Sequence, residues 1–177
     1  MEIQPEIIHI QTYDVFTPSG ERDWFDQCTV CDTRFKNDSP QYVIEKEFQR
    51  SLPSDEPELI YELALCQRCL SEQDSSYSNE SREHIARFYS EVVDLDRRAS
   101  ELLQEMREEK RLDIRRWIGQ CAVTNQPIEK ALRYRLMAHG LGQWLAMAAA
   151  PLVLSGSALE QFQSGLSDQT NEVGCVQ

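Results

Sequence analysis

Apolar and polar residues alternate through the first third of the chain. Ile8 and Ile10 flank polar His9, and the run stops at the turn cluster Thr17-Pro18-Ser19-Gly20, the pattern of a strand with one buried face. Tyr42, Ile44 and Phe48 predict a second strand after Pro40. Leu59, Tyr61, Leu63 and Leu65 predict a third, which leads directly into Cys66. Between the last two lies Leu52-Pro53-Ser54-Asp55-Glu56-Pro57, whose two prolines and polar side chains predict an exposed loop.

The period then changes. Ser71 to Asn79 is polar and turn-rich and can supply an N-cap, with Glu80 and Glu83 near the positive helix end. Ile85, Phe88, Val92, Leu95, Ala99, Leu102 and Met106 follow at alternating steps of three and four, the a/d spacing of a heptad. One long amphipathic helix is predicted. It breaks at Glu109-Lys110-Arg111, after which Asp113 caps a short helix carrying Ile114, Trp117 and Ile118.

Beyond the turn Thr124-Asn125-Gln126-Pro127 the pattern has two readings. Leu132, Tyr134, Leu136 and Ala138 alternate with Arg133, Arg135 and Met137 as in a strand. That strand would turn at His139-Gly140-Leu141-Gly142 and return over 143–148. Ile128, Leu132 and Leu136 also fit one face of a helix beginning at Pro127, so 131–148 stays open between strand and helix. Ser157-Ala158-Leu159-Glu160 has capping-box spacing ahead of a final helix with Leu159, Phe162 and Leu166 on one face. The expected fold is α+β. It comprises an N-terminal module of short strands over 1–77, an amphipathic helical part over 78–118 and a C-terminal α/β portion over 119–177. No internal repeat of solenoid period is visible.

Charge narrows the choice of function. The chain of 177 residues carries 30 acidic and 18 basic side chains, a net charge of −12. The balance is −8 over 1–70, −3 over 71–118 and −1 over 119–177. An acidic chain is ill suited to gripping a phosphate backbone or an anionic membrane surface. The Arg pairs Arg97-Arg98 and Arg115-Arg116 are interleaved with acids, as on a solvated, salt-bridged helix face. The most apolar stretch, Trp144 to Leu154, is too short to span a bilayer and contains Pro151. The first residues offer neither a basic n-region nor an apolar h-region, so a cytoplasmic location is expected and no membrane association. Without export, Asn37-Asp38-Ser39 and Asn79-Glu80-Ser81 are chance glycosylation matches.

The strongest chemical signal is Cys28-Thr29-Val30-Cys31 with Cys66-Gln67-Arg68-Cys69, separated by 34 residues. A CxxC pair can aim both sulfurs at one ion, and two such knuckles make the tetrahedral thiolate cage that zinc prefers. Soft thiolate selects zinc or an iron–sulfur centre over calcium or magnesium. Four thiolates fill the shell, so one Zn2+ at Cys28, Cys31, Cys66 and Cys69 is expected to be structural. Disulfides would need an oxidising compartment, and a thioredoxin-like site a strand–helix setting that Cys28 lacks. A metal clip also offsets the entropy of closing the long loop between the knuckles. Cys121 and Cys175 have no CxxC partner, and Cys121 reads as a small buried hydrophobe. Trp24-Phe25 reads as an apolar cap over the metal site, with a partner anchor as the alternative.

Over roughly residues 24–90 this pattern resembles the zinc-ribbon and treble-clef group of four-cysteine modules. The treble clef is the better match, because helical sequence follows the second knuckle. The resemblance implies a metal-binding module and no particular activity. Neither knuckle has the usual glycine after its second Cys. Asp32 tolerates a left-handed conformation there, whereas Leu70 does not, so the second knuckle should run straight into a helix.

Other constellations are weak. His9, His84 and His139 form no HxE, HExxH or HxH pattern, and there is no P-loop, GxGxxG or GxSxG. The expectation is a non-enzymatic, zinc-stabilised interaction or adaptor protein. Its partner, or a second copy of the chain, would bind through the 85–106 stripe. The alternative is a nucleic-acid-binding or regulatory zinc module, and a third option is an enzyme with a site around Tyr134 and His139.

Overall fold

The computed structural model describes residues 7–9, 13–20, 24–36, 41–109, 113–147, 150–168 and 170. Ile10, the break at 110–112, Asn37-Asp38-Ser39 and Cys175 lie outside them. Strands β1 (Ile7–His9), β2 (Tyr42–Gln49), β3 (Glu58–Cys66), β4 (Arg133–Leu141), β5 (Trp144–Ala146) and β6 (Leu152–Ser155) form one antiparallel sheet. Its order is β1-β5-β4-β2-β3, with β6 also paired to β4. The helices are α1 (Gln67–Ser76), α2 (Asn79–Arg87), α3 (Leu95–Glu109), α4 (Ile114–Ile118) and α5 (Gly156–Gln163). The fold is α+β, and no helix of the described residues is long and apolar enough to cross a membrane.

β4 resolves the two readings of 131–148 in favour of a strand. The β2–β3 hairpin offers it a full eight-residue edge, from Tyr42↔Gly140 to Gln49↔Arg133. Tyr134, Leu136, Ala138 and Gly140 are buried in strict alternation. Leu132 departs from the predicted pattern, since it precedes the strand and is exposed. The strand takes in the first three residues of the predicted turn and reverses at its last, Gly142, whose φ of 56° is a left-handed position that glycine accepts without strain. β6 is buried at all four positions, so its sequence lacks the alternation that would have announced it.

The predicted long helix is interrupted. α2 passes into a π-helical turn over Phe88–Val92, and Asp94 then adopts φ 56° before α3 begins. Asp94 caps α3 by accepting from Arg97 N at 3.1 Å. The wide turn shifts the phase of the heptad, so Val93 is buried and Val92 is exposed. Phe88 and Leu102 are buried as the stripe predicts, while Ile85, Leu95 and Ala99 are half-buried. The polar run after Cys69 is itself largely helix, because α1 starts immediately after β3. Its expected cap is Ser78, whose Oγ accepts from Ser81 N at 3.1 Å and opens α2. Asp113 caps α4 as predicted, accepting from Arg115 N at 3.1 Å. α5 starts ahead of the predicted capping box, with Ser155 rather than Ser157 at its N-cap.

Two buried polar groups on β2 fasten other segments to the sheet. Lys46 pairs with Glu62 at 3.0 Å and donates to Thr17 O, and Glu62 accepts from Ser19 N at 2.8 Å. These bonds hold the 13–20 segment against the hairpin. On the other face, the Glu47 carboxylate accepts from Arg133 Nε at 2.7 Å and Arg135 Nη2 at 2.8 Å. That ion cluster joins β2 to β4.

Candidate metal centre

The first knuckle is shaped by its backbone. Gln27 and Arg34 form an isolated antiparallel bridge. Inside it, Cys28 N donates to Thr33 O at 2.8 Å and Asp32 N to Cys28 O at 3.0 Å. Asp32 has φ 55°, the left-handed conformation its short polar side chain tolerates. Thr29 then clamps the turn to β3, since its N donates to Ala64 O at 2.8 Å and its Oγ1 accepts from Ala64 N at 2.9 Å. This clamp sits two residues before Cys66, so it brings the first sulfur pair to the second.

The second knuckle straddles the end of β3 and the first turn of α1. Cys66 N donates to Cys28 Sγ at 3.5 Å, which orients that sulfur inward. Gln67 to Leu70 are already helical, so no left-handed turn follows Cys69. The four predicted residues, Cys28, Cys31, Cys66 and Cys69, all meet. Their Sγ atoms lie within 4.8 Å of one another, and Cys28 and Cys69 are buried. Cys31 Sγ and Cys66 Sγ are 3.7 Å apart, far beyond a disulfide bond and close to the edge of about 3.8 Å in a tetrahedron of four ~2.3 Å metal–sulfur bonds. Four close cysteines of this geometry could hold a metal ion.

Two of the four thiols depart from ordinary cysteine in opposite directions. The Cys31 thiol is lowered to about 5 by hydrogen bonding with Thr33, chiefly through its side chain, and by the nearby Arg68 guanidinium. Burial pushes the Cys69 thiol up, reinforced by its neighbouring sulfurs. One easily ionised thiol, held by Thr33 and Arg68, thus lies beside one that burial and its neighbouring sulfurs keep protonated. A cation at their centre would favour the thiolate form of all four.

The other singled-out residues do not converge on a second such cluster among the described residues. Phe25 is buried beneath Lys46, whose Nζ lies 5.9 Å from the ring centroid, and Trp24 is half-buried. Tyr134 stacks on Phe48 with centroids 5.1 Å apart. His139 is half-buried, and burial lowers its pKa. Three of the middle segment's arginines are engaged, with Arg97 on Glu101 at 2.7 Å, Arg116 on Glu105 at 3.6 Å and Arg98 on Pro151 O at 2.7 Å.

Cys121 is buried in the core as expected, and it carries polar contacts besides. Its Sγ accepts from Ser155 N and Ser155 Oγ, both at 3.2 Å, and from Thr124 N at 3.5 Å. Burial alone would raise its pKa, and these bonds outweigh burial and leave it lowered. A sequence signal existed: Cys121-Ala122-Val123-Thr124-Asn125 parallels Cys28-Thr29-Val30-Cys31-Asp32. No protein-family model, curated protein or solved structure matches the chain.

Proposed function

We propose that Cys28, Cys31, Cys66 and Cys69 hold one structural Zn2+ in a module of treble-clef type, and that the chain is a non-enzymatic interaction or adaptor protein. The observation that carries the metal reading is the convergence of four thiols within 4.8 Å on a turn, a strand end and a helix start. Bound there, zinc supplies charge neutralisation and a cross-link. The four sulfurs complete its shell and leave no position for water or substrate. Cysteines kept as thiols fit a reducing compartment such as the cytoplasm.

The interaction reading is supported by where large apolar side chains remain in contact with water. β3 lies at one end of the sheet order, and the register skips Ile60 between Tyr61 and Leu59. Ile60 is 51% exposed, Leu52 60% and Leu132 50%. Leu52 and Leu132 belong to the same end of the sheet, where Arg50 N donates to Leu132 O at 2.8 Å. Val92, with Leu103 on α3, keeps part of the helical stripe available to a partner helix or a second copy.

The test uses the full chain purified without chelator. One zinc per chain is expected, together with capture of a protein partner from native extract that survives nuclease and is lost in Ile60→Glu/Leu132→Glu. A folded chain without metal overturns the metal reading. Retention of nucleic acid alone, weakening steeply with salt, overturns the adaptor reading in favour of nucleic-acid binding.

A further inference from the structure

The Cys121 turn repeats the backbone hydrogen bonds of the first knuckle. Gln120 bridges Pro127 as Gln27 bridges Arg34. Cys121 N donates to Gln126 O at 2.9 Å, Asn125 N to Cys121 O at 3.0 Å and Ile128 N to Gly119 O at 2.9 Å. The first knuckle has Cys28 N to Thr33 O at 2.8 Å, Asp32 N to Cys28 O at 3.0 Å and Phe35 N to Asp26 O at 2.8 Å. Asp32 and Asn125 share φ 55°. Each turn is then clamped to a strand by one backbone bond of 2.8 Å, Thr29 N to Ala64 O in the first and Ala122 N to Val153 O in the second. Finally, Cys66 N donates to Cys28 Sγ, and Ser155 N donates to Cys121 Sγ.

The sheet carries the same correspondence. Tyr42, Val43, Ile44 and Glu45 pair with Cys66, Leu65, Ala64 and Leu63. In the second half Tyr134 to Met137 pair in the same sense with Ser155 to Leu152. Each of β3 and β6 runs directly into a helix, α1 and α5. Where β2 meets β4, Tyr42 lies opposite Gly140 and Phe48 opposite Tyr134. Superposing Tyr42 on Tyr134 carries Phe48 to Gly140, so each of these two cross-strand pairs is the image of the other. A local two-fold axis therefore passes through the central pair Glu45↔Met137.

We propose that the chain is an internal duplication, in which Cys121, Thr124, Ser155 and Ala158 occupy the positions of Cys28, Cys31, Cys66 and Cys69 and hydrogen bonds have taken the place of a metal ion. Thr124 Oγ1 and Ser155 Oγ are 3.3 Å apart, where Cys31 Sγ and Cys66 Sγ are 3.7 Å apart. Ser155 Oγ donates to Cys121 Sγ at 3.2 Å, closing a neutral network. Ala158 is fully buried and puts a methyl group at the fourth corner. Oxygen–oxygen and oxygen–sulfur hydrogen bonds satisfy the buried polar atoms that a cation would otherwise hold together. One thiol with two hydroxyls is a poor zinc set, so this half stays metal-free.

The inference rests on the metal reading of the first site, and its test separates the two. In the full chain, Thr124→Cys/Ser155→Cys/Ala158→Cys should double the zinc content, from one to two per chain, with the sheet's circular dichroism unchanged. Thr124→Cys/Ser155→Cys leaves three sulfurs at the second site and should add a second equivalent of cobalt(II) with thiolate absorption. This variant decides the matter if the triple one does not fold. One metal per chain in both wild type and folded variants overturns the duplication of the site. No metal in wild type with one in the variants overturns only the reading of the first site, and none in either overturns both. Failure of both variants to fold with zinc present also overturns the proposal, because a matching cage would replace the hydrogen bonds that were removed.

Discussion

Adding a single methyl group at Gly140 tests how the two halves are joined. A Cβ on Gly140 would clash with the hydroxyl end of the Tyr42 ring, meeting Cζ first, with Cε1 at 2.6 Å. The ring cannot easily yield. Tyr42 is buried, stacked on Phe35 with centroids 3.9 Å apart, and its hydroxyl donates to Gly142 O at 2.8 Å. Forcing it aside costs about 1–3 kcal/mol in overpacking, about 1–3 for the buried hydrogen bond and about 1 for the stacking. Gly140→Ala should therefore lose about 4 kcal/mol in urea unfolding of the metal-loaded chain. In a chain of this size that lowers the melting temperature by roughly 8–16 °C. Tyr42→Val removes the obstacle. In that background Gly140→Ala should be neutral or gain about 0.5–1 kcal/mol, because alanine suits a strand better than glycine. The double-mutant cycle thus gives a coupling of about 4–5 kcal/mol. An equal loss in both backgrounds would refute the reasoning, since the cost would then arise from something other than the tyrosine ring.

The ion cluster on the other face of β2 predicts a response to pH. Burial would raise the Glu47 pKa, but hydrogen bonds from Arg133 and Arg135 outweigh it and hold the carboxyl below its ordinary value. Stability from this group is complete above the ordinary glutamate range of about 4.3 and is lost as pH falls through the lowered folded value. Glu47→Gln should cost about 2 kcal/mol at neutral pH, less than a fully buried pair because Arg133 is part-exposed, and should reduce the fall in melting temperature between pH 5 and pH 3; an unchanged pH profile would refute this. At the equivalent left-handed positions of the two turns, Asp32→Ala and Asn125→Ala should each cost about 1 kcal/mol in thermal unfolding, while the glycine variants stay near wild type. Unequal responses at the two positions would count against their equivalence.

Much of the candidate site was legible because it is local. CxxC spacing, the tolerance of Asp32 for a left-handed turn and the lack of glycine after Cys69 are properties of a few adjacent residues. The same holds for β2, β3 and the Asp113 cap. The long helix was misread for a different reason. Its heptad spacing is locally sound, but a wide turn and Asp94 insert a phase change that no hydrophobic count registers. β6 was missed because a strand buried on both faces has no alternation to detect.

Residue order by itself determined the acidic charge, the alternating strands, the helix-forming middle and a four-thiol set suited to one soft ion. Tertiary structure alone decided that 133–141 is a strand, because the free edge of β2, together with β5 and β6, supplies the partners that favour it over a helix. It also turned the faint sequence parallel of Cys121 to Cys28 into a structural one and added that of Ser155 to Cys66. That likeness lies in backbone bonds and register, which persist when the side chains that once advertised them have changed.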